Sequence, residues 1–148
     1  MQRLYLDTSV LSALVDTRAP ERCALTTAFW VRRTTFALIT SDVASAEIRR
    51  TPDAAIRSEM LRHFGEVEVV PLTDEMRHLA KRYVDRAIFT TTMEADALHV
   101  AAATVLACDA LLSWNFRHLV NRSRRLAVNA ENVRAGFGAL DIIPPPEL

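Results

Sequence analysis

Short apolar, β-prone runs alternate with segments of helical periodicity along the whole chain, and that alternation constrains the fold most. Leu4-Tyr5-Leu6 is followed by Asp7-Thr8-Ser9, a stop and a cap, and reads as a buried strand feeding a helix over about residues 10–15. Pro20 opens a second helical stretch to about Arg33, because the first turn of a helix tolerates proline. Residues 36–39 form the next strand, and Ser41 or Asp42 caps the helix that carries Glu47. Thr51-Pro52-Asp53 ends that helix and starts another, which stops near Gly65. Residues 67–72 read as a strand. After Thr73 the apolar positions Met76, Leu79, Ala80, Tyr83, Val84 and Ala87 recur at three- and four-residue steps, which is helical spacing. Thr91-Thr92-Met93-Glu94 has the pattern of a capping box, and it precedes the most apolar helix, from Ala95 to about Cys108. Residues 110–114 are read as the last central strand. Strands interleaved with helices imply an α/β protein with a mostly parallel central sheet. There is no internal repeat and no linker, so residues 1–148 read as one domain. From about Gly136 the chain reads as a tail that finishes in extended form through its triple proline.

Half of the 148 residues are hydrophobic, enough to bury a core without staples. Eighteen basic and eighteen acidic residues cancel, which argues against the uniformly basic surface of a general nucleic-acid coat protein but leaves a nuclease with an acidic site open. Cys23 and Cys108 lie in apolar, helical-looking segments, are too few for a disulfide framework, and read as free thiols. No stretch approaches the roughly 20 apolar residues of a membrane span, and Asp7 interrupts the N-terminal apolar run too early for a signal peptide. The expectation is a cytoplasmic protein.

Three carboxylates stand out. Asp7 follows a buried strand, and in parallel α/β sheets ligands bind beyond the carboxyl ends of the strands; a plain N-cap role explains it equally well. Asp96 enters an almost wholly apolar helix, where a carboxylate rarely goes without a purpose. Glu94 has a structural explanation as the capping-box partner of Thr91, whereas Asp96 lies past the cap. His99 lies one turn on from Asp96, either as its hydrogen-bond partner or, more simply, as a satisfied core histidine. Glu47 continues an inward-looking line with Val43, although a surface pair with Arg50 is the simpler reading of that residue alone. Taken together the three acids suit a hard cation: magnesium is held by one or two carboxylates with waters and substrate phosphates. Such ions activate water and neutralise a phosphodiester in transit. No His/Cys set is spaced for zinc, and three glycines leave no room for a P-loop or a dinucleotide motif.

The pieces Leu6-Asp7-Thr8-Ser9-Val10, Ser45-Ala46-Glu47-Ile48, the run Asp96 to Ala103, and Leu111-Leu112-Ser113-Trp114-Asn115-Phe116 resemble, in this order, the PIN domains, and in particular the VapC toxins. The C-terminal stretch with Asn129, Asn132 and Gly136 is similar to one PIN subgroup. The resemblance implies an α/β/α sandwich and an acidic pocket for magnesium or manganese. It also implies RNA phosphodiester cleavage by metal-activated water, with Asp7, Glu47 and Asp96 as catalytic metal ligands. It further implies a homodimer silenced by a small antitoxin laid across the active site, in a bacterial toxin–antitoxin pair.

Where many PIN nucleases carry a fourth acid, this chain has Asn115, whose amide oxygen brings no charge. Ser113 and Ser9 join it as candidates for the site rim. His118, three residues beyond Asn115, reads as a surface histidine. Arg49 and Arg50 near Glu47, and Arg117, Arg122, Arg124 and Arg125 after Asn115, are candidates to meet phosphate. Phe29 and Trp30 read as core. The missing acid motivates a second reading, a PIN-like RNA-binding or partner-binding protein without catalysis. A phosphatase using Asp7 as nucleophile ranks below both, since Ser9 stands where such enzymes want a second acid.

Overall fold

The computed structural model describes all 148 residues. Its centre is a five-stranded, all-parallel sheet in the order β3-β2-β1-β4-β5. The strands are β1 (Arg3–Leu6), β2 (Ala37–Ser41), β3 (Glu68–Val70), β4 (Ala110–Leu112) and β5 (Asp141–Ile143). The helices are α1 (Thr8–Ala13), α2 (Pro20–Val31), α3 (Asp42–Arg49), α4 (Ala54–Phe64), α5 (Asp74–Asp85), α6 (Glu94–Val105) and α7 (Arg122–Arg134).

Side chains alternate across a strand, and here each face of the sheet is covered by its own set of helices. Tyr5, Ile39, Leu111 and Ile142 share one apolar cluster with Met76, Leu79 and Tyr83 of α5, Val100 to Ala103 of α6, and Val128 of α7. Leu4, Leu6, Leu38, Ala110, Leu112 and Ile143 share the other with Val10 and Leu11 of α1, Phe29 and Trp30 of α2, Ile48 of α3 and Met60 of α4. This is the three-layer sandwich expected. β1 sits mid-sheet with Leu4, Tyr5 and Leu6 fully buried, and strands buried on both faces read as continuous apolar runs.

Several sequence expectations need correction. The strand at residues 110–114 stops at Leu112 and is not the last, because β5 pairs alongside it with Ile142 opposite Leu111. The tail therefore completes the sheet, and its prolines end in a 3-10 turn over Pro145–Glu147 rather than an extended segment. α7 was not anticipated from its arginine-rich sequence. Thr91 makes no capping box: residues Thr91–Met93 form a 3-10 turn, and α6 starts at Glu94 without a side-chain cap.

The connectivity places the site. From β1 the chain moves outward through β2 to β3, then crosses back to lay β4 and β5 on the other side of β1. Strand order thus reverses between β1 and β4, and a crevice opens beyond the carboxyl ends of strands at such a switch point. Asp7 follows β1 there, and Ser113 follows β4.

Candidate active site

Asp7 combines both roles weighed from the sequence. It is the N-cap of α1, its Oδ1 accepting from the Ser9 backbone N–H at 3.0 Å and also from the Ser9 hydroxyl. Its Oδ2 accepts from the Ser113 hydroxyl at 2.6 Å. The residue is 4% exposed, and every one of these donors is neutral. Burial therefore pushes its carboxyl above the usual carboxylate range, against the pull of His99, Ser113 and Ser9. Glu47 pushes the same way, so the two acids sense each other.

Glu47 is half-buried on α3, which Ser41 caps through the Val43 N–H. Its Oε1 accepts from the Thr8 hydroxyl at 2.7 Å and lies 2.6 Å from His99 Nε2. His99 Nδ1 is 2.8 Å from the Tyr5 hydroxyl, which is 2.7 Å from the Ser41 hydroxyl. Burial raises the Tyr5 phenol, so it stays protonated, and His99 Nε2–H donates to Glu47 Oε1. Burial also works to raise Glu47, but the hydrogen bond and charge of His99, helped by Thr8, outweigh it and hold Glu47 below its ordinary value. The simpler reading of Glu47 as a partner of Arg50 is not what forms. His99 is the satisfied core histidine expected, but its partner is Glu47 rather than Asp96.

Asp96 instead meets His118, whose Nδ1 lies 3.1 Å from Oδ2. Because α6 begins at Glu94, Asp96 stands in its first turn, where a carboxylate is favoured by the helix dipole; the residue has a structural rationale that its apolar neighbours concealed. Asn115 spends its Oδ1 on the His118 backbone N–H at 2.9 Å, while its own N–H donates to the Ser113 hydroxyl at 2.9 Å. Trp114 N–H donates to the Ser9 hydroxyl at 2.9 Å. The turn after β4 is thus fastened to the hydroxyls that surround Asp7. Ser9 and Asn115 line a groove beside Asp7, whereas Ser113 is buried beneath it, and Asn115 Oδ1 accepts from the His118 backbone N–H.

One network therefore ties the three acids: Asp7 through Ser113, Asn115 and His118 to Asp96, and Thr8, the next residue after Asp7, to Glu47. As the side chains stand, no three acidic, imidazole or thiol groups converge in a ligand cage. The reason is visible in the hydrogen bonds, since each acid is turned onto a protein partner. The donor chemistry nonetheless fits a hard cation. Glu47 Oε2 and Asp96 Oδ1 accept nothing from the protein, and Asp7 is a buried carboxyl group with no cationic side chain bonded to it.

Sequence reasoning gives no site role to Thr8 or Tyr5, reads Ser41 only as a cap of the Glu47 helix, and places His118 on the surface. The Thr8 hydroxyl directly after Asp7, and Ser41 at the end of β2, were the only local signals for this support. Cys23 and Cys108 are free thiols, as expected, with Cys108 buried, and burial pushes its thiol up to about 11. Phe29 and Trp30 are core residues, also as expected.

A parallel α/β/α sandwich with a buried acid at its strand-order reversal, tied to two further acids by one hydrogen-bond network, defines a class of acidic-site proteins. The chain belongs to the PIN-domain family, whose model matches residues 4–122. Solved structures share its fold. VapC20 of Mycobacterium tuberculosis, a toxin that cleaves the sarcin–ricin loop, aligns with a TM-score of 0.59 at 18% identity, over 78% of this chain and 92% of that one. VapBC2 of Rickettsia felis, bound to a DNA fragment from its promoter, aligns with a TM-score of 0.58 at 11% identity, over 95% and 98% of the two chains. VapBC-5 of M. tuberculosis, from the VapBC toxin–antitoxin systems, gives a TM-score of 0.54 at 17% identity, over 97% and 99%. At such identities the likeness is one of fold. No curated protein sequence is significantly similar. No helix is long and apolar enough to cross a membrane.

Proposed function

We propose that this protein is a divalent-metal-dependent endoribonuclease, the toxin of a VapBC-type toxin–antitoxin pair acting in the bacterial cytoplasm. The observation that carries the proposal is Asp7: a buried carboxylate at the switch point, held by neutral donors alone and facing the charge of Glu47. A protein keeps so costly a group where a cation or a reaction uses it.

Asp7, Glu47 and Asp96 would hold magnesium or manganese. When bound, such an ion would activate water and neutralise charge on the phosphodiester. The chain's own residues do the rest. Ser9 and Ser113 fix the Asp7 carboxylate, Thr8 and His99 hold Glu47 by Oε1 and leave Oε2 without a protein partner, and His118 sets the plane of Asp96. Such partners of ligating groups tune affinity by about 10–100-fold. Asn115 contributes a turn rather than a charge, so the site has three acids. By family likeness the protein works as a homodimer and is silenced by a cognate antitoxin.

Purified protein incubated with structured RNA is expected to cut it with magnesium or manganese and to stop in excess chelator. Undiminished cutting in chelator overturns the metal mechanism. A second reading, a PIN-like RNA-binding or partner-binding protein without catalysis, is favoured by Asn115 and by the commitment of each acid to a protein partner. Asn115→Asp separates the two: cleavage gained from an inactive parent supports the binding protein, and an active parent excludes it.

A further inference from the structure

A groove of about 580 Å³ opens beside Asp7, between α1, the start of α2 and the turn after β4, a volume within the range of small-ligand sites. Ser9 and Asn115 are part of its wall, and the Ser9 hydroxyl is bonded to Asp7, which places the groove beside the acidic site. Its outer wall differs in kind. Trp114 is buried and anchored, its indole N–H donating to Thr26 at 2.8 Å, whereas Phe116 leaves 45% of its surface in water. The two rings meet edge to face at 6.1 Å. The Arg22 guanidinium lies over both, 5.3 Å from the Trp114 centroid and 5.6 Å from that of Phe116. Arg22 is in no ion pair, and neither is Arg117 across the groove; the nearby acid, Asp16, is already paired with Arg18 at 2.9 Å.

An exposed phenyl ring costs solvation, and two unpaired guanidiniums beside it attract anions. Together they match one ligand chemistry, a base with its phosphate. Aromatic faces and arginine planes stack unpaired bases, and arginines take the backbone charge. A base inside a duplex has no free face to offer to Phe116. The one acid of the lining, Asp16, is already paired with Arg18, so the charge left free in the groove is positive and matches a phosphate.

We propose that this groove seats an unpaired nucleotide of the RNA next to the cleaved bond, its base on Phe116 and its phosphate between Arg22 and Arg117. The inference rests on the nuclease reading above and adds to it a subsite: Phe116, Arg22 and Arg117 as the residues that hold an unpaired nucleotide. Trp114, locked to Thr26, holds Arg22 in place and does not itself need to move.

The test is binding rather than turnover. A mixed-sequence single-stranded oligoribonucleotide carrying 2-aminopurine and an end label is titrated in chelator at low salt, with anisotropy giving affinity and 2-aminopurine quenching reporting stacking. Phe116→Leu keeps an apolar side chain of similar bulk without a stacking face. It is expected to weaken binding roughly tenfold and to remove the quench, while Phe116→Tyr retains both. Arg22→Gln is expected to lower the salt slope of binding by about 0.7, the share of one single-strand phosphate contact. Melting temperatures of the variants confirm that they are folded.

The proposal is overturned by a Phe116→Leu variant that binds and quenches like the parent, by the absence of binding to the single strand, or by equal affinity for a duplex of the same sequence. It is also overturned if Phe116→Leu weakens only the hold on a co-expressed partner protein. The two readings fail separately. Phe116-dependent binding without magnesium-dependent cleavage keeps the groove and removes the nuclease; cleavage with no dependence on Phe116 does the reverse.

Discussion

Asp7 and Glu131 are both carboxylates withdrawn from solvent, at 4% and 0% exposure, and the company they keep is opposite. Glu131, on α7, takes two bonds from Arg82 of α5 on one oxygen, at 2.8 and 3.0 Å, and one from Arg134 on the other at 3.1 Å, with Arg86 at 3.7 Å. It is roofed by these half-exposed arginines rather than sunk in the core. Burial works to raise it, but Arg134 and Arg82, with Arg86, prevail and hold it below its ordinary value. Beside it Tyr83 donates to Asn132, and Asn132 donates to Thr104 at 3.1 Å, so α5, α6 and α7 are latched with every polar group answered. Asp7 has only hydroxyl and amide donors, and it is pushed up. An acid that cationic side chains neutralise serves the fold; one buried with no cation bonded to it is reserved for something else.

The comparison breaks most visibly with Asp7→Asn. Magnesium-dependent cleavage is expected to fall by at least about a hundredfold, a larger loss than the removal of a partner of a ligating residue brings. Single-turnover cleavage of RNA measures it, and a rate within a few-fold of the parent would show that Asp7 is merely a helix cap. His118→Ala comes next. If His118 sets the plane of Asp96, the magnesium concentration for half-maximal rate rises about tenfold, and His118→Asn, which can still hydrogen-bond, recovers part of it. A fall in that concentration would instead mean that His118 competes with the metal for Asp96.

How much of this was legible in the sequence depends on whether a residue's partner is local. β1 followed by Asp7 could be read, because an apolar run and its stop are contiguous. α5 could be read from its periodicity. β5 could not: three residues, Asp141–Ile143, carry no pattern of their own and become a strand only by pairing with β4. α7 was hidden by its arginines, and it is held to β5 by Arg125 bonding the Ile142 carbonyl at 3.0 Å and by Asn129 bonding both polar groups of the Leu140 backbone. The exchange of histidine partners has a geometric cause. Residues three apart on a helix differ by about 60° in direction, so His99 turns into the core toward Glu47 while Asp96 stays at the rim and meets His118 from another element. Glu131 is the extreme case, since its main cation, Arg82, lies 49 residues away.

Glu131→Gln sharpens the comparison from the structural side. Losing the charge that three arginines converge on is expected to lower the melting temperature by about 5 °C, the effect of one or two charge-assisted hydrogen bonds in a domain of this size. Cleavage per folded molecule stays at the parent's level, because nothing joins Glu131 to the acidic site. A loss of rate at unchanged stability would put Glu131 in the site's network instead.

The smallest effect is the most discriminating, because it differs in sign between the two acids. Asp7 has its carboxyl raised in the folded state, so within the window between its ordinary and its folded value the native protein binds more proton than the unfolded chain. Stability contributed there is present at low pH and is lost as pH climbs from the ordinary carboxylate range through the folded value. Glu131 is depressed, so its contribution is present above the ordinary range and is lost as pH falls through its folded value. In chelator, Asp7→Asn should therefore gain on the parent by a few degrees at pH 7.5, with the gap closing toward pH 4. Ser113 can reverse its hydroxyl to accept from the new amide, which keeps the substitution from opening a void in the hydrogen bonding. Glu131→Gln should instead lose most at pH 7.5 and converge on the parent as pH falls. Melting curves of the three proteins across that range test both slopes at once. If the two differences run in the same direction, Asp7 is not an uncompensated charge, and the argument for a cation at this site loses its physical base.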